Sequence, residues 1–280
     1  MFLTLFYITN NPEIALIAEK YGVNRVWVDL ETLGKEERQK GMNTVKSKHT
    51  VDDVRRIKPL LSTSEMLVRV NPWNENSVEE INAVVTAGAD IIMLPMWKSA
   101  AEVTKFLSVV DGRCKTTLLL ETKEAVECLD EVLQNGGMDE IHIGLNDLHL
   151  SYGMTFMFEL LANGIVEELC KKINAYHIPY GFGGIAKLGD GLLPAEKIIM
   201  EHYRLGSTRA ILSRTFCDNA TVESLEEIER VFKLNMTKVR EFENVVQQMR
   251  SDELAQNKEI VKSSVDEIVA AIKKKRGLGI

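Results

Sequence analysis

The stretch that decides the fold reads Leu118-Leu119-Leu120-Glu121-Thr122-Lys123-Glu124-Ala125, then, one helix later, Ile141-His142-Ile143-Gly144-Leu145-Asn146-Asp147-Leu148 and on to Gly153. Each half is a short apolar run that stops at or near a carboxylate, where the composition changes. The first run feeds a helical pattern and the second feeds a polar loop closed by Gly153. Two buried strands joined by one helix, with Glu121 and Asp147 at the same ends, are adjacent βα units of a barrel. Paired carboxylates at that rim suit a hard divalent cation of the Mg²⁺ or Mn²⁺ kind, which prefers oxygen ligands and keeps several waters.

Working outward, the same alternation repeats. Phe2 to Ile8, Val23 to Leu30, Met66 to Val70, Asp90 to Leu94, Thr116 to Glu121, Glu140 to Gly144, Pro179 to Gly184 and Arg209 to Leu212 are short apolar runs. Continuous apolar runs are expected of parallel strands covered on both faces. Between them lie helical periodicities with stop and start signals. Pro12 opens one helix and Gly22 ends it, Ser77 with Glu80 reads as a capping box, and Gly136-Gly137 and Gly206 are stops. Thr122 to Leu133 and Phe158 to Ala175 each read as one helix. Eight strand–helix alternations over about 220 residues give an α/β chain folded as a (β/α)₈ TIM barrel. A doubly wound sheet would call for a Gly-rich fingerprint after the first strand, and none is there. Residues 1–220 form the barrel, and 221–280 are a C-terminal helical extension. Its apolar stripe, Leu225, Ile228, Phe232, Val239, Phe242, Val246 and Met249, asks for a surface, and either a neighbouring subunit or its own barrel would supply one. The first of these helices would be roughly 40 Å long at 1.5 Å per residue.

The chain carries a net charge of −7 and is 45% hydrophobic, which excludes the basic face of a nucleic-acid binder. Four cysteines without a C-x-x-C pair read as reduced thiols of a cytoplasmic protein. Met1 to Thr9 lacks a signal peptide's basic region and is too short to span a bilayer, so no membrane association is expected.

In such a barrel the C-terminal rim is the working face. The strand ends place Asp29, Glu31, Arg69, Pro95, Glu121, Asp147, Gly183 and Arg214 there. Buried charges at several strand ends are costly unless paired, and a metal with a charged substrate would pair them. Arg69 offers a bidentate fork for a carboxylate. The run Tyr180-Gly181-Phe182-Gly183-Gly184, with Arg214 after the eighth strand, stands where barrels often bind an anion. The polar segment Lys35 to Thr50 is too long for a tight βα loop, so a functional loop is expected there.

Val68-Arg69-Val70-Asn71, Gly88-Ala89-Asp90-Ile91-Ile92-Met93-Leu94-Pro95, Leu120-Glu121-Thr122-Lys123-Glu124-Ala125 and Ile143-Gly144-Leu145-Asn146-Asp147-Leu148 follow one another in an order that resembles the metal-dependent pyruvate aldolases and the citrate lyase β-subunit. Known aldolases of that group act on 4-hydroxy-2-oxoheptanedioate and 2-keto-3-deoxy sugar acids. The resemblance spans about Leu3 to Phe216. It implies a barrel of the phosphoenolpyruvate/pyruvate type with Glu121 and Asp147 as ligands of Mg²⁺, Mn²⁺ or another divalent cation. Arg69 would then neutralise a developing enolate and steady the keto acid, while Pro95 and Gly144 would shape the pocket floor; Asn146, beside Asp147, and Arg214, after the eighth strand, are further candidates for substrate contact. The implied activity is a class II aldolase or C–C lyase on pyruvate or oxaloacetate, with an aldehyde as partner. Its alternatives are an acyl-CoA lyase of the citrate or malyl-CoA type and a non-catalytic barrel that binds a 2-oxo acid. A homo-oligomer is expected. The chain departs from the aldolases where their Asp-Gly-Glu-His pattern supplies a catalytic histidine, since Asp29-Leu30-Glu31 is followed by Thr32. Their partner acid before Gly88 is Thr86 here. His49 and His149 are the candidates to replace that base, and His142, inside a strand, reads as a core residue.

Overall fold

The structure, a computed structural model, describes residues 1–34, 48–217 and 224–277. Eight parallel strands close into a barrel in sequence order, with β8 pairing back to β1. They are β1 Thr4–Ile8, β2 Arg25–Asp29, β3 Glu65–Arg69, β4 Ile91–Leu94, β5 Lys115–Leu120, β6 Glu140–Ile143, β7 Tyr180–Ile185 and β8 Arg209–Leu212. Around them run α1 Pro12–Lys20, α2 Val51–Ile57, α3 Ser77–Thr86, α4 Ala100–Val110, α5 Lys123–Glu127, α6 Leu129–Asn135, α7 Leu145–Ser151, α8 Glu159–Ala162, α9 Ile165–Ala175 and α10 Ala195–Arg204. The two closing helices are α11 Leu225–Val246 and α12 Ser251–Lys275.

Alternation along each strand sorts the side chains into two cores. Outward-facing residues such as Val26, Val28, Val68 and Ile92 pack beneath the helices, while Phe6, Trp27, Leu67, Ile91, Met93 and Leu119 fill the barrel interior. Below that inner apolar layer, the strand beginnings carry charge. Arg25 donates from Nε to Glu65 (2.9 Å) and forms a fork with Glu140, whose Oε2 also accepts from Arg209 Nε (2.7 Å). Thr117 donates to Glu140 Oε1 at 2.7 Å and Lys115 to Glu65 Oε1 at 2.6 Å. Burial acts against the Glu140 charge, but Arg25 and Arg209 outweigh it and hold its carboxyl below the ordinary range. The N-terminal end of the barrel is thus sealed by paired charge. Gly181 belongs to this layer: a Cβ there would lie 2.3 Å from the Arg209 carbonyl oxygen, so only glycine lets β7 and β8 approach.

Several expected elements take a different form. Ser77 is the first residue of α3 and not its cap; its hydroxyl accepts from Asn74 N, and Glu80 reaches back to Asn71. The helix expected over Thr122 to Leu133 breaks at Cys128 into α5 and α6, and that over Phe158 to Ala175 breaks at Gly164, whose φ is +86°. The segment after β6 is helical, so Asp147 sits in the first turn of α7 and not on a loop.

The stripe of the extension is covered by the barrel itself. Ile228, Phe232, Met236, Val239 and Val246 of α11 are buried, and Phe232 meets the Tyr7 ring edge-on at 4.9 Å. Glu243, wholly buried, accepts from Leu3 N (2.7 Å), Tyr203 Oη (2.9 Å) and Arg240 Nη1 (2.6 Å), which clamps α11 to the start of β1. Asn257 of α12 donates to Glu201 and to the Lys197 carbonyl on α10. At 22 residues α11 is about 33 Å long, shorter than the sequence suggests. All four cysteines are free thiols. No helix among the described residues is long and apolar enough to cross a membrane.

Two histidines are buried as neutral rings. His142 donates from Nε2 to the Gly183 carbonyl (3.1 Å), and burial lowers its pKa to about 4. His202 stacks on Phe182 at 3.9 Å, and burial, helped by His142, lowers its pKa to about 3. Both folded values lie below the ordinary 6.5, so the unfolded chain takes up these protons first as the pH falls. Their contribution is complete above pH 6.5 and shrinks toward pH 4, by about 1.4 kcal/mol per pH unit for each ring. Urea unfolding midpoints across that window should fall steeply for the native chain and less steeply after His142→Gln with His202→Phe.

Candidate active site

At the opposite, C-terminal rim, charge is crowded and unequal. Arg69 closes β3 and aims Nε and Nη2 at the two carboxylate oxygens of Asp29 on β2, at 2.8 and 2.9 Å. Nη2 also lies 3.1 Å from Glu31. Trp27, two residues before Asp29 on the same face of β2, lies beneath the guanidinium with 5.0 Å between Cζ and the ring centre. Burial disfavours the Arg69 charge, but Asp29 and then Glu31 more than compensate, and its pKa rises above the ordinary value. The fork expected to take a substrate carboxylate is therefore occupied by Asp29.

Glu121 follows the last residue of β5 and is 3% exposed. Its Oε1 accepts the Met96 amide at 3.1 Å. Burial first, and then the charge of Asp147, push its carboxyl well above the carboxylate range; Arg69 pulls it down and Glu31 pushes it up. Glu121 and Asp147, remote in sequence, thus act on one another in space. Gly144 makes this possible: a Cβ there would stand 2.8 Å from Glu121 Oε2 and 2.9 Å from Glu121 Cβ. Pro95 is buried next to Met96, and Asn146 is exposed beside Asp147.

The two candidate histidines part company. His49 reaches the rim, where its Nδ1 accepts the Asp29 amide at 3.0 Å. The neutral ring bound in this way carries its proton on Nε2. His149 is buried on α7 and donates from Nδ1 to the Leu145 carbonyl of its own helix at 3.2 Å. Thr32, where the aldolases have histidine, is held by Asn71, whose Oδ1 accepts from the amides of Thr32 (2.9 Å) and Leu33 (3.0 Å). Thr86 is exposed on α3 and bonds to the Asn82 carbonyl, away from the rim. The glycines expected to cradle an anion serve packing instead: Gly183, at φ +49°, faces Leu145, whose Cδ1 would lie 2.7 Å from an added Cβ. Arg214 opens a short 3₁₀ turn, Arg214–Phe216, and its side chain lies outside the described residues, as does most of the long loop from Lys35. The Asn71 clamp and the Met96 amide are not legible in the sequence, because a main-chain donor and an asparagine in a turn leave no distinctive pattern.

Residues 3–157 match the HpcH/HpaI aldolase/citrate lyase family, more than half of the chain. The chain belongs to that family. The crystal structure of an HpcH/HpaI aldolase from Desulfitobacterium hafniense DCB-2 superposes with a TM-score of 0.56 at 16% identity, over 76% of this chain and 86% of the other, which shows the shared fold. Comparison with proteins of curated description gives no match. Family membership supports a lyase, and the rim just described is where this family member's acids converge.

Glu121 has a folded pKa above its unfolded one, so its contribution to stability is present at low pH and is lost as pH rises through the folded value. In chelator-treated protein at pH 7 to 8, Glu121→Gln should therefore raise the melting temperature, by about 2–4 °C for each kcal/mol of relieved repulsion. The difference between the two proteins should shrink on acidification toward pH 4.5.

Proposed function

We propose that this chain is a divalent-cation-dependent C–C lyase for a pyruvate-type 2-oxo acid, with Glu121 and Asp147 as the protein ligands of Mg²⁺ or Mn²⁺. The observation that carries the reading is the convergence of two acids at one rim: Glu121 is buried, its Oε2 abuts Gly144 at the start of the helix that carries Asp147, and the Asp147 charge acts on it. Their donor chemistry fits the ion. Both offer hard oxygen, and a cation of this kind takes one or two carboxylates, with water and substrate completing its shell. No group of three or more His, Cys, Asp or Glu among the described residues is arranged to hold a metal ion unaided. When bound, the ion would supply Lewis-acid polarisation of a 2-oxo group.

The remaining roles belong to the chain. Asp29 and Glu31 hold Arg69 against Trp27, so its positive charge is fixed before substrate arrives. Nε and Nη2 are taken by these bonds, which leaves Nη1 as the donor for an oxygen that gains negative charge. Gly144 keeps the space beside Glu121 open. His49, whose Nδ1 lone pair is taken by the Asp29 amide, offers its Nε2–H as a hydrogen-bond donor, and its Nδ1 is not available as a base. A second reading, an acyl-CoA lyase of the citrate or malyl-CoA type, is favoured by one observation: Thr32 replaces the aldolase histidine and is held by Asn71.

Oxaloacetate decarboxylation tests the first reading. It should require Mn²⁺ or Mg²⁺, stop on chelation, return with the ion, and fall to the metal-free rate in Glu121→Ala. Equal rates with and without the ion, or an active Glu121→Ala, would overturn it. Cleavage of a 2-hydroxyacyl-CoA thioester, with none of a free hydroxy-oxo acid, would select the second.

A further inference from the structure

The turn after β4 runs Leu94-Pro95-Met96-Trp97. Met96 has a φ of +53°, the left-handed region that side-chain-bearing residues rarely occupy. Nothing about its composition requires this, since a glycine would sit there more easily. Strained backbone persists only where the surroundings over-determine it. Here they do. Pro95 restricts the chain before it. After it, Trp97 is fully buried in the core, and its carbonyl accepts the Thr122 hydroxyl at 2.8 Å. Thr122 is itself fixed, because its hydroxyl also accepts the Ala125 amide and caps α5. The turn is therefore stitched to the end of β5 at the two consecutive residues Glu121 and Thr122.

The strain has one visible product: the Met96 amide points at Glu121 Oε1, 3.1 Å away. On the other side of the same carboxylate, Oε2 abuts Gly144. One oxygen is occupied by a main-chain donor and the other is turned toward the α7 end, where Asp147 lies. We propose that Met96 is a positioning residue, whose left-handed main chain fixes the orientation of the Glu121 carboxylate ahead of cation binding. The side chain is incidental; the backbone conformation does the positioning. Groups that orient a ligating carboxylate in this way typically change metal affinity by about 10- to 100-fold when lost. This inference rests on the proposed function, in which Glu121 is a ligand.

The test is Mn²⁺ binding to the metal-free full chain, read as free Mn²⁺ by electron paramagnetic resonance, beside melting temperatures. Met96→Leu and Met96→Gly keep access to positive φ and should bind within about twofold of the native chain; Met96→Val, whose branched side chain resists that region, should bind about 10-fold more weakly. Glu121→Gln should abolish binding. Native affinity in a folded Met96→Val, with binding lost in Glu121→Gln, would overturn this inference and leave the proposed function standing. Equal weakening in Met96→Gly and Met96→Val would assign the effect to the side chain and also overturn it. Native binding in Glu121→Gln would remove the proposed function and this inference together. If Met96→Val does not fold, the Met96 amide resonance decides: it should shift with Mg²⁺ in the native chain and not in Glu121→Gln, and no shift in the native chain counts against the inference.

Discussion

A carboxylate with almost no access to water, pressed by a second carboxylate, is a liability that a fold has to answer. Glu121 is in that position. Removing an ionised group from water is expensive, and a nearby like charge adds to the expense. The surroundings answer in part only: the Met96 amide binds one oxygen and Arg69 attracts from a distance, but Arg69 is already committed to Asp29 and Glu31. Burial and the neighbouring acid thus leave the Glu121 carboxyl well above the ordinary range, the kind of perturbation that clusters at functional sites.

The other end of the barrel treats its buried acids differently. Arg25, Arg209 and Lys115 face Glu65 and Glu140 there, and each carboxylate is bonded on both oxygens. Glu140 is as buried as Glu121, yet its carboxyl is held below the ordinary range where that of Glu121 is driven above it. Burial is common to both and pushes both upward, so burial does not explain the difference. The neighbours do: two guanidiniums at one end, a carboxylate at the other. A barrel of this kind commonly carries structure at its N-terminal face and chemistry at its C-terminal face, and in this chain two equally buried glutamates, one at each face, are shifted in opposite directions.

The sequence disclosed what depends on period and chain order. Both-face burial produced unbroken apolar runs such as Ile91-Ile92-Met93-Leu94, and these became strands of the closed barrel. The relation of Glu121 to Asp147 was legible because each follows a strand and neighbouring strands of a parallel barrel share a rim. Interactions that depend on side-chain direction were not. Glu80 stands three residues after Ser77, as a capping box demands, yet it serves Asn71, and only the path of the turn at 71–74 decides between these uses. The glycines of β7 look like an anion cradle, but Arg209 and Leu145 claim the space beside them. The stripe on α11 looked able to seek another subunit; Glu243 and Phe232 tie it to the first strand of its own barrel, through contacts more than two hundred residues apart.

The replaced histidine follows the same logic. In the aldolases that residue leaves the end of the second strand with the catalytic acids. Here Thr32 is held by an asparagine from the next strand, and Asn71 is in turn held by Glu80. The amide and carbonyl groups of residues 30–33 are thus gripped from outside the barrel, and this fixes the approach of Glu31 to Arg69. An imidazole also reaches this strand end, that of His49, whose Nδ1 accepts the Asp29 amide. One strand end is consequently anchored by two residues that a motif search would not connect. Asp29 is thus bonded at its amide by His49 and at its carboxylate by Arg69, and Glu31, two residues on, lies against the same guanidinium, so this strand end is held by ring, fork and amide together.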